Sequence, residues 1–301
     1  MKLLSFGEPA MEKPGVIVRD NLILDLHAAS GGEIRSIRGL LDMGEDVLKK
    51  IEDYMSGDVD DAWLVKEDSV RIGPVVNNPT KIVCLGLNYR QHAEEQGARL
   101  PKKPLIFAKA ASSLAGNNDP LWYPADETKF DYEVELAFVI GRTGLRIPED
   151  DWESYIAGYT ILNDVSARDA QFGDRKWFRG KSYDSTCPVG PYLVTRDEIP
   201  DPHNLEVKAV LNGEVRQKSN TNDLIFNIPR ILEFASRNIT FHPGDIIATG
   251  TPSGVGIFFD PPRCMKPGDN ITVSVEKLGS LTNEVKKRTR PVPSVYPARF
   301  I

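Results

Sequence analysis

The stretch Tyr132-Glu133-Val134-Glu135-Leu136-Ala137-Phe138-Val139-Ile140 decides the reading of this chain. Beyond the two glutamates its residues are apolar on both faces, which predicts a strand over Glu133 to Ile140 that is buried on both sides. A side-chain period of two then puts both carboxylates on one face. Two carboxylates in an apolar setting repel each other, and desolvating them costs roughly several kcal/mol unless a cation neutralises them. Taken alone, Glu-x-Glu is equally compatible with a strand that has one solvated face.

Working outward, Tyr159-Thr160-Ile161-Leu162-Asn163-Asp164-Val165 is a second apolar strand ending in an acid. Glu133, Glu135 and Asp164, from two strand ends, can form a facial oxygen site. A set without His or Cys favours magnesium, manganese or calcium over zinc. Upstream, His92 and Glu95 stand at i and i+3 in Asn88-Tyr89-Arg90-Gln91-His92-Ala93-Glu94-Glu95, which on a helix brings them together. Such a pair suits water activation, with the carboxylate orienting the imidazole, and an exposed helical pair has the same spacing. Gly180-Lys181-Ser182 carries the ending of a phosphate loop, but that pattern needs a glycine where Arg175 stands. Gly250-Thr251-Pro252-Ser253-Gly254-Val255-Gly256 matches neither the dinucleotide fingerprint nor the nucleophile elbow. It suits close backbone approach to a small ligand, with Thr251 as hydroxyl donor, or a purely structural turn.

The rest of the chain frames this site. Gly15 to Leu26 reads as a hairpin turning at Arg19-Asp20-Asn21, and Ile34 to Tyr54 has helical spacing, with Ile37, Leu40, Leu41, Val47 and Ile51 on one face. Gly73 to Thr80, with Pro74, Pro79 and two asparagines, reads as a linker into a second domain. Strands are expected at Ile82 to Leu85, Leu105 to Ala108, Tyr192 to Thr195, Leu205 to Leu211, Asp245 to Thr249 and Asn270 to Val275, with few helices among them. Asn212-Gly213 predicts a tight hairpin into Glu214 to Gln217. The pattern predicts a closed or sandwich-like β core rather than βαβ repeats. Residues 286–301 combine Lys286, Lys287, Arg288 and Arg290 with prolines at 291, 293 and 297, and read as an extended tail.

Composition excludes other classes. With 301 residues, 41% hydrophobic, 27% charged and a formal charge of -6, the chain has neither a nucleic-acid nor a membrane-surface signature. Met1 to Phe6 is too short for a signal h-region, and no apolar run suits a transmembrane helix. Cys84, Cys187 and Cys264 are widely spaced, which fits a reducing, cytoplasmic setting better than a disulfide framework or a thiolate zinc site.

Six blocks together now resemble the fumarylacetoacetate hydrolase family over Lys81 to Leu281. They are Cys84-Leu85-Gly86-Leu87-Asn88-Tyr89 with His92, Asp131 to Leu136, Asn163-Asp164-Val165-Ser166-Ala167-Arg168-Asp169, Gly180-Lys181-Ser182, Cys187-Pro188-Val189-Gly190-Pro191, and Gly250 to Gly256. Met1 to Val16 is similar to the small N-terminal domain of bacterial-type members known as 2-hydroxyhepta-2,4-diene-1,7-dioate isomerases, ureidoglycolate lyases or diketo-deoxysugar-acid hydrolases. The resemblance implies an α+β, mainly β fold. Residues 1–73 would form a small α/β domain, 80–285 a mixed β-roll catalytic domain, and 286–301 the tail. It further implies a homodimer and magnesium, or else manganese or calcium, on Glu133, Glu135 and Asp164. A helical lid would carry His92 and Glu95. Arg168, Gln171 and Lys181 match positions around developing negative charge, Thr251 matches a substrate contact, and Lys109 follows a strand where the family places a polar contact.

The activity so implied is metal-dependent hydrolysis of a carbon–carbon bond in a small acylpyruvate or 2,4-dioxo acid. The substrate's carboxylate and 2-oxo oxygens would chelate the cation while His92, oriented by Glu95, activates a water. Lys181, with Arg168 and Gln171, would stabilise the oxyanion by about 3 kcal/mol per well-placed donor. An enolate is shared by the family's reactions. Oxaloacetate decarboxylation, 2-oxo acid isomerisation or tautomerisation, and ureidoglycolate-type lysis therefore stand as alternatives, with a non-catalytic scaffold behind them.

Overall fold

The computed structural model describes residues 1–19, 21–56 and 59–288. The glutamate strand, Val134–Ile140, is central to a large mixed sheet and buried along its whole length. On one side it pairs antiparallel with Ile156–Asn163, and that strand with Cys187–Thr195. On the other it pairs with Ile246–Ala248, which runs parallel to Ile82–Gly86 and leads to Leu105–Lys109. Strands therefore fall where expected, with ends shifted by a few residues. Glu133 itself stands just before the strand.

A second sheet has the order Glu214–Asn220, Glu206–Leu211, Asn270–Val275, Gly279–Lys287 and Leu121–Tyr123. Asn212 and Gly213, both at positive φ (51° and 83°), turn the first hairpin as the dipeptide predicts. Val134, Leu136 and Phe138 of the central strand pack with Val207, Ala209, Ile271 and Val273 of this second sheet. Ala137 and Val139, on the glutamate face, pack instead with Leu3, Ile37 and Leu40. Of the two expected β architectures, the sheets stack and do not close into a barrel.

The N-terminal segment joins the same large sheet. Lys2–Phe6 pairs with Cys187–Thr195, and Lys13–Arg19 and Leu22–Asp25 form the expected hairpin; Asp20 of its turn lies outside the described residues. The helical pattern over Ile34 to Tyr54 is corrected to two helices, Ile37–Asp42 and Glu45–Ser56. Ser36 caps the first by accepting Gly39 N–H, and Gly44, at φ 86°, breaks the run. Gly73 to Thr80 holds no helix or extended strand, as its breakers require, yet it is packed. Val75 and Val76 are buried, and Val75 N–H donates to Val189 carbonyl at 3.2 Å. Lys286 and Lys287 belong to the last strand rather than to a tail, and Arg288 pairs with Asp184. Arg290 and the prolines at 291, 293 and 297 lie outside the described residues. Among the described residues, no helix is long and apolar enough to cross a membrane.

Candidate metal centre

Glu133, Glu135 and Asp164 each bring an oxygen within 4.8 Å of the others, and all three are buried. Sheet register does this: Glu135 lies opposite Leu162, so the acid two residues on reaches the start of the glutamate strand. Asp164 N–H then donates to Glu133 carbonyl at 2.9 Å, and Asn163 Oδ1 accepts Glu133 N–H at 3.0 Å.

Three buried cations surround the acids. Lys181 Nζ donates to Glu133 Oε2 and Asp164 Oδ2, both at 2.6 Å, and Lys109 Nζ to Asp164 Oδ1 at 2.6 Å. Arg168 Nη2 donates to Glu133 Oε1 at 2.6 Å and to Asp131 Oδ2 at 2.9 Å, while its Nη1 donates to Gln171 Oε1 at 2.9 Å. Gly180 explains the closeness of these groups: a Cβ there would sit 2.6 Å from Gln171 N, so only glycine lets Trp177–Lys181 press against Arg168–Gly173. Glycine before Lys181 thus serves helix packing.

The charges do not balance. Burial pushes Glu133 up, but Lys181 and Arg168 outweigh it and hold the carboxyl at about 2. Burial lowers Lys181, yet Asp164 and Glu133 raise it further and keep it cationic. Among the described residues, Glu135 receives only Gly250 N–H, at 2.8 Å. Burial, then the charges of Asp164 and Glu133, push it well above the carboxylate range. Counting Asp131, four buried carboxylates face three buried cations. An all-oxygen set with surplus negative charge fits a hard divalent cation.

Above this cluster lies the helix Arg90–Glu95. His92 is 5% exposed, and its field contributes to the lowering at Glu133. Gln96 Nε2 meets His92 Nε2 at 2.7 Å, and an amide nitrogen there can only donate. The ring proton therefore sits on Nδ1, where Glu95 Oε2 accepts it at 2.9 Å. Glu95 Oε1 accepts Gly254 N–H at 2.8 Å, tying the helix to the glycine loop. Gly254 is obligatory: at φ 97°, a Cβ would lie 2.1 Å from Arg216 carbonyl. His92 Nε2 is the proton-free ring nitrogen, its lone pair capped by the Gln96 amide, which must give way before that atom can take a proton.

All ten residues expected at the site are thus placed in one connected region. Lys109 grips Asp164 from a fully buried position, and Thr251, 4% exposed, follows the glycine that holds Glu135. Other basic and aromatic side chains on these elements are placed differently: Arg90 is exposed, Arg179 pairs with Asp174, and Trp177 packs edge-on against Phe107. Sequence reasoning missed Asp131 and Gln217 as members. Asp131 accepts Gly256 N–H at 2.7 Å, Ile257 N–H at 3.0 Å and the Arg168 guanidinium. Its signal was available, because Asp131 continues the period-two series of Glu133 and Glu135. Gln217 comes from the second sheet and had none.

The family model described as Fumarylacetoacetate (FAA) hydrolase C-terminal matches residues 81–286. An oxaloacetate tautomerase of Xenopus laevis, the mitochondrial fahd2, is 39% identical over 290 residues, covering 95% of this chain and 90% of that protein. The oxaloacetate tautomerase YisK of Bacillus subtilis is 38% identical over 286 residues, covering 90% and 95%. Maleylpyruvate hydrolase from Sphingobium sp. SYK-6, solved with manganese(II) and pyruvate, is 31% identical with a TM-score of 0.79, covering 95% of this chain and 99% of that one.

Proposed function

Because the chain belongs to the fumarylacetoacetate hydrolase family, we propose that it interconverts the keto and enol forms of a small 2-oxo dicarboxylic acid of the oxaloacetate type. The observation that carries this reading is a buried, negatively surplus carboxylate cluster beneath a histidine whose proton is parked on Nδ1. Two full-length tautomerase relatives, at 39% and 38% identity, support the substrate class. Glu133, Glu135 and Asp164 would hold magnesium or manganese, which when bound supplies a Lewis acid that acidifies hydrogens beside a 2-oxo group.

The chain's own residues move the proton. His92 Nε2 takes it from the carbon beside the 2-oxo group and returns it there in the reverse direction. Glu95 steadies the imidazolium that forms, a contribution of the kind that brings about 10²–10⁴-fold in rate. Lys181, already cationic, donates to the oxygen that gains negative charge, with Arg168 and Gln171 behind it. His92 Nε2 then hands that proton to the oxygen of the former carbonyl, so the imidazole is regenerated and atoms balance without water.

Hydrolysis of an acylpyruvate is the second reading, favoured by the likeness to maleylpyruvate hydrolase. There the same Nε2 would take its proton from water. One assay separates them: decay of enol absorbance from oxaloacetate, with pyruvate and carbon dioxide measured in parallel, under magnesium, manganese or chelator. Accelerated enol decay without pyruvate supports the tautomerase. Pyruvate from an acylpyruvate without any effect on enol decay overturns it in favour of hydrolysis, and carbon dioxide from oxaloacetate in favour of decarboxylation.

The assembly belongs to the same proposal. Phe172, Phe178 and Leu105 stand exposed on neighbouring elements beside the site, apolar area that a second copy would cover in a homodimer. Sedimentation of the wild type and of Phe178→Asp tests it, and a wild-type monomer rejects it.

A further inference from the structure

Gln217 stands on the second sheet, fully buried, and its amide can face only one way. Val134 N–H, which only donates, meets Oε1 at 3.0 Å. Pro252 carbonyl, which only accepts, takes one Nε2 hydrogen at 2.8 Å. The other hydrogen of the same amide goes to Thr251 Oγ1 at 2.8 Å. A hydroxyl has one hydrogen to give and two lone pairs to offer. At Thr251 a lone pair is already used, and among the described residues no group accepts the hydroxyl hydrogen. Gly250, one residue earlier, is anchored on Glu135. Thr251 thus follows directly on the glycine that holds Glu135, with its hydroxyl hydrogen uncommitted.

We propose that Gln217 is a positioning residue that sets ligand specificity by making the Thr251 hydroxyl a committed donor toward the metal centre, so that the site selects an oxygen anion there. This rests on the reading of the site as one for metal-chelated 2-oxo acids. A carboxylate or enolate oxygen accepts the Thr251 hydrogen, which the Gln217 amide turns away from itself, whereas a ligand donor has only the one lone pair that Gln217 leaves. Gln217 never touches the ligand and acts through Thr251. It also ties the two sheets together at the site, since Val134 belongs to the first and Gln217 to the second.

Gln217→Glu keeps the shape but replaces the donor by an acceptor, so Thr251 turns its hydrogen to the new carboxylate and away from the ligand. The probe is oxalate, which has no carbon-bound hydrogen to exchange, titrated calorimetrically into the magnesium-loaded protein. Thr251→Val is expected to weaken oxalate about tenfold at every pH, the scale of one hydrogen bond to a charged group. Gln217→Glu is expected to weaken it about tenfold once the new carboxyl is ionised and less at lower pH, where the carboxyl keeps its proton and can donate; burial beside the acids raises the pH of that change above the ordinary carboxylate range. In the Thr251→Val background Gln217→Glu should add nothing. Multiplying effects in the double variant, or no loss in either single variant, overturn the proposal.

Should Gln217→Glu not fold, Gln217→Met removes the donor without adding an acceptor. It should weaken oxalate only when Thr251 is present, and equal losses in both backgrounds overturn the proposal. Wild-type protein that binds oxalate but turns over no 2-oxo acid breaks the functional reading and leaves this test readable. Wild-type protein that binds no oxalate overturns both.

Discussion

Among the described residues, two ion networks each hold one more carboxylate than cations, and only one of them gives every carboxylate a cation partner. Where the N-terminal strands meet the rest, Arg71 donates to both oxygens of Asp119, at 2.7 and 2.6 Å, and to Glu12 at 2.8 Å. Asn77 covers the second oxygen of Glu12 at 3.1 Å, and Gly116 N–H adds to Asp119 at 2.6 Å. Each acid has a cation and a further donor. At the carboxylate cluster, by contrast, Glu135 has one backbone N–H, and its acid neighbours push it up. A network built for stability satisfies its members. One that leaves a carboxylate against two others holds repulsion that a ligand can relieve.

The largest break should come at Glu135. Glu135→Gln replaces a carboxyl that no cation of the fold bonds directly, so the metal-free protein should melt no lower than wild type while turnover falls more than about a thousandfold. Calorimetry beside the enol assay checks both halves. A lower melting temperature with retained turnover would make Glu135 structural and dissolve the contrast. Next in size, His92→Asn should cost about a hundredfold in kcat, leaving manganese affinity within about twofold, because His92 touches none of the three acids. Loss of metal binding in that variant would move the histidine into the ligand set.

Acid titration sharpens the same contrast thermodynamically. Folded Glu135 holds its proton to higher pH than it would in the unfolded chain. Stability from this group is therefore present below the ordinary carboxylate pKa of about 4.3 and lost as pH rises through its raised folded value. Added magnesium or manganese should reverse that loss, by about 2.7 kcal/mol when free cation is about a hundred times its Kd, and the gain should shrink on acidification. Thermal melts across pH, with and without cation, read it directly. A cation effect that grows toward acid would refute the assignment of Glu135.

How much of this was legible beforehand follows from distance along the chain. Glu133, Glu135 and Asp164 could be read because period two and strand ends are local signals, and the strands around them are unbroken apolar runs. His92 with Glu95 was legible for the same reason, at helical spacing. That Lys109 and Lys181 would bond the acids themselves was not, since they reach Asp164 from 55 and 17 residues away through packing no local pattern encodes. Gln217 binds Val134 through backbone across 83 residues, where any residue could have supplied the N–H. The pairing of Lys2–Phe6 with Cys187–Thr195 has no motif either, because edge pairing uses backbone groups alone. The helix over Ile34 to Tyr54 was overextended although Gly44 stood in view; the apolar spacing on both sides of it was read as one stripe.

The smallest effect tests the network in which every acid has a partner. Arg71→Ala strips Asp119 of its guanidinium and leaves the nearly buried Glu12 with Asn77 alone. Burying such a carboxylate without its partner is costly, but Arg71 is about a fifth exposed at its side chain, so water screens part of the loss. The expected cost is about 1–2 kcal/mol in denaturant melts, with kcat per folded molecule and cation affinity unchanged within about twofold. Arg71→Lys should recover only part of the stability, because a single ammonium cannot span two oxygens of Asp119 and reach Glu12 as the guanidinium does. If Arg71→Ala instead lowers kcat as much as His92→Asn while leaving stability intact, the network at the N-terminal junction feeds the site, and the division between a structural network with every acid paired and a functional one with an unpaired acid fails.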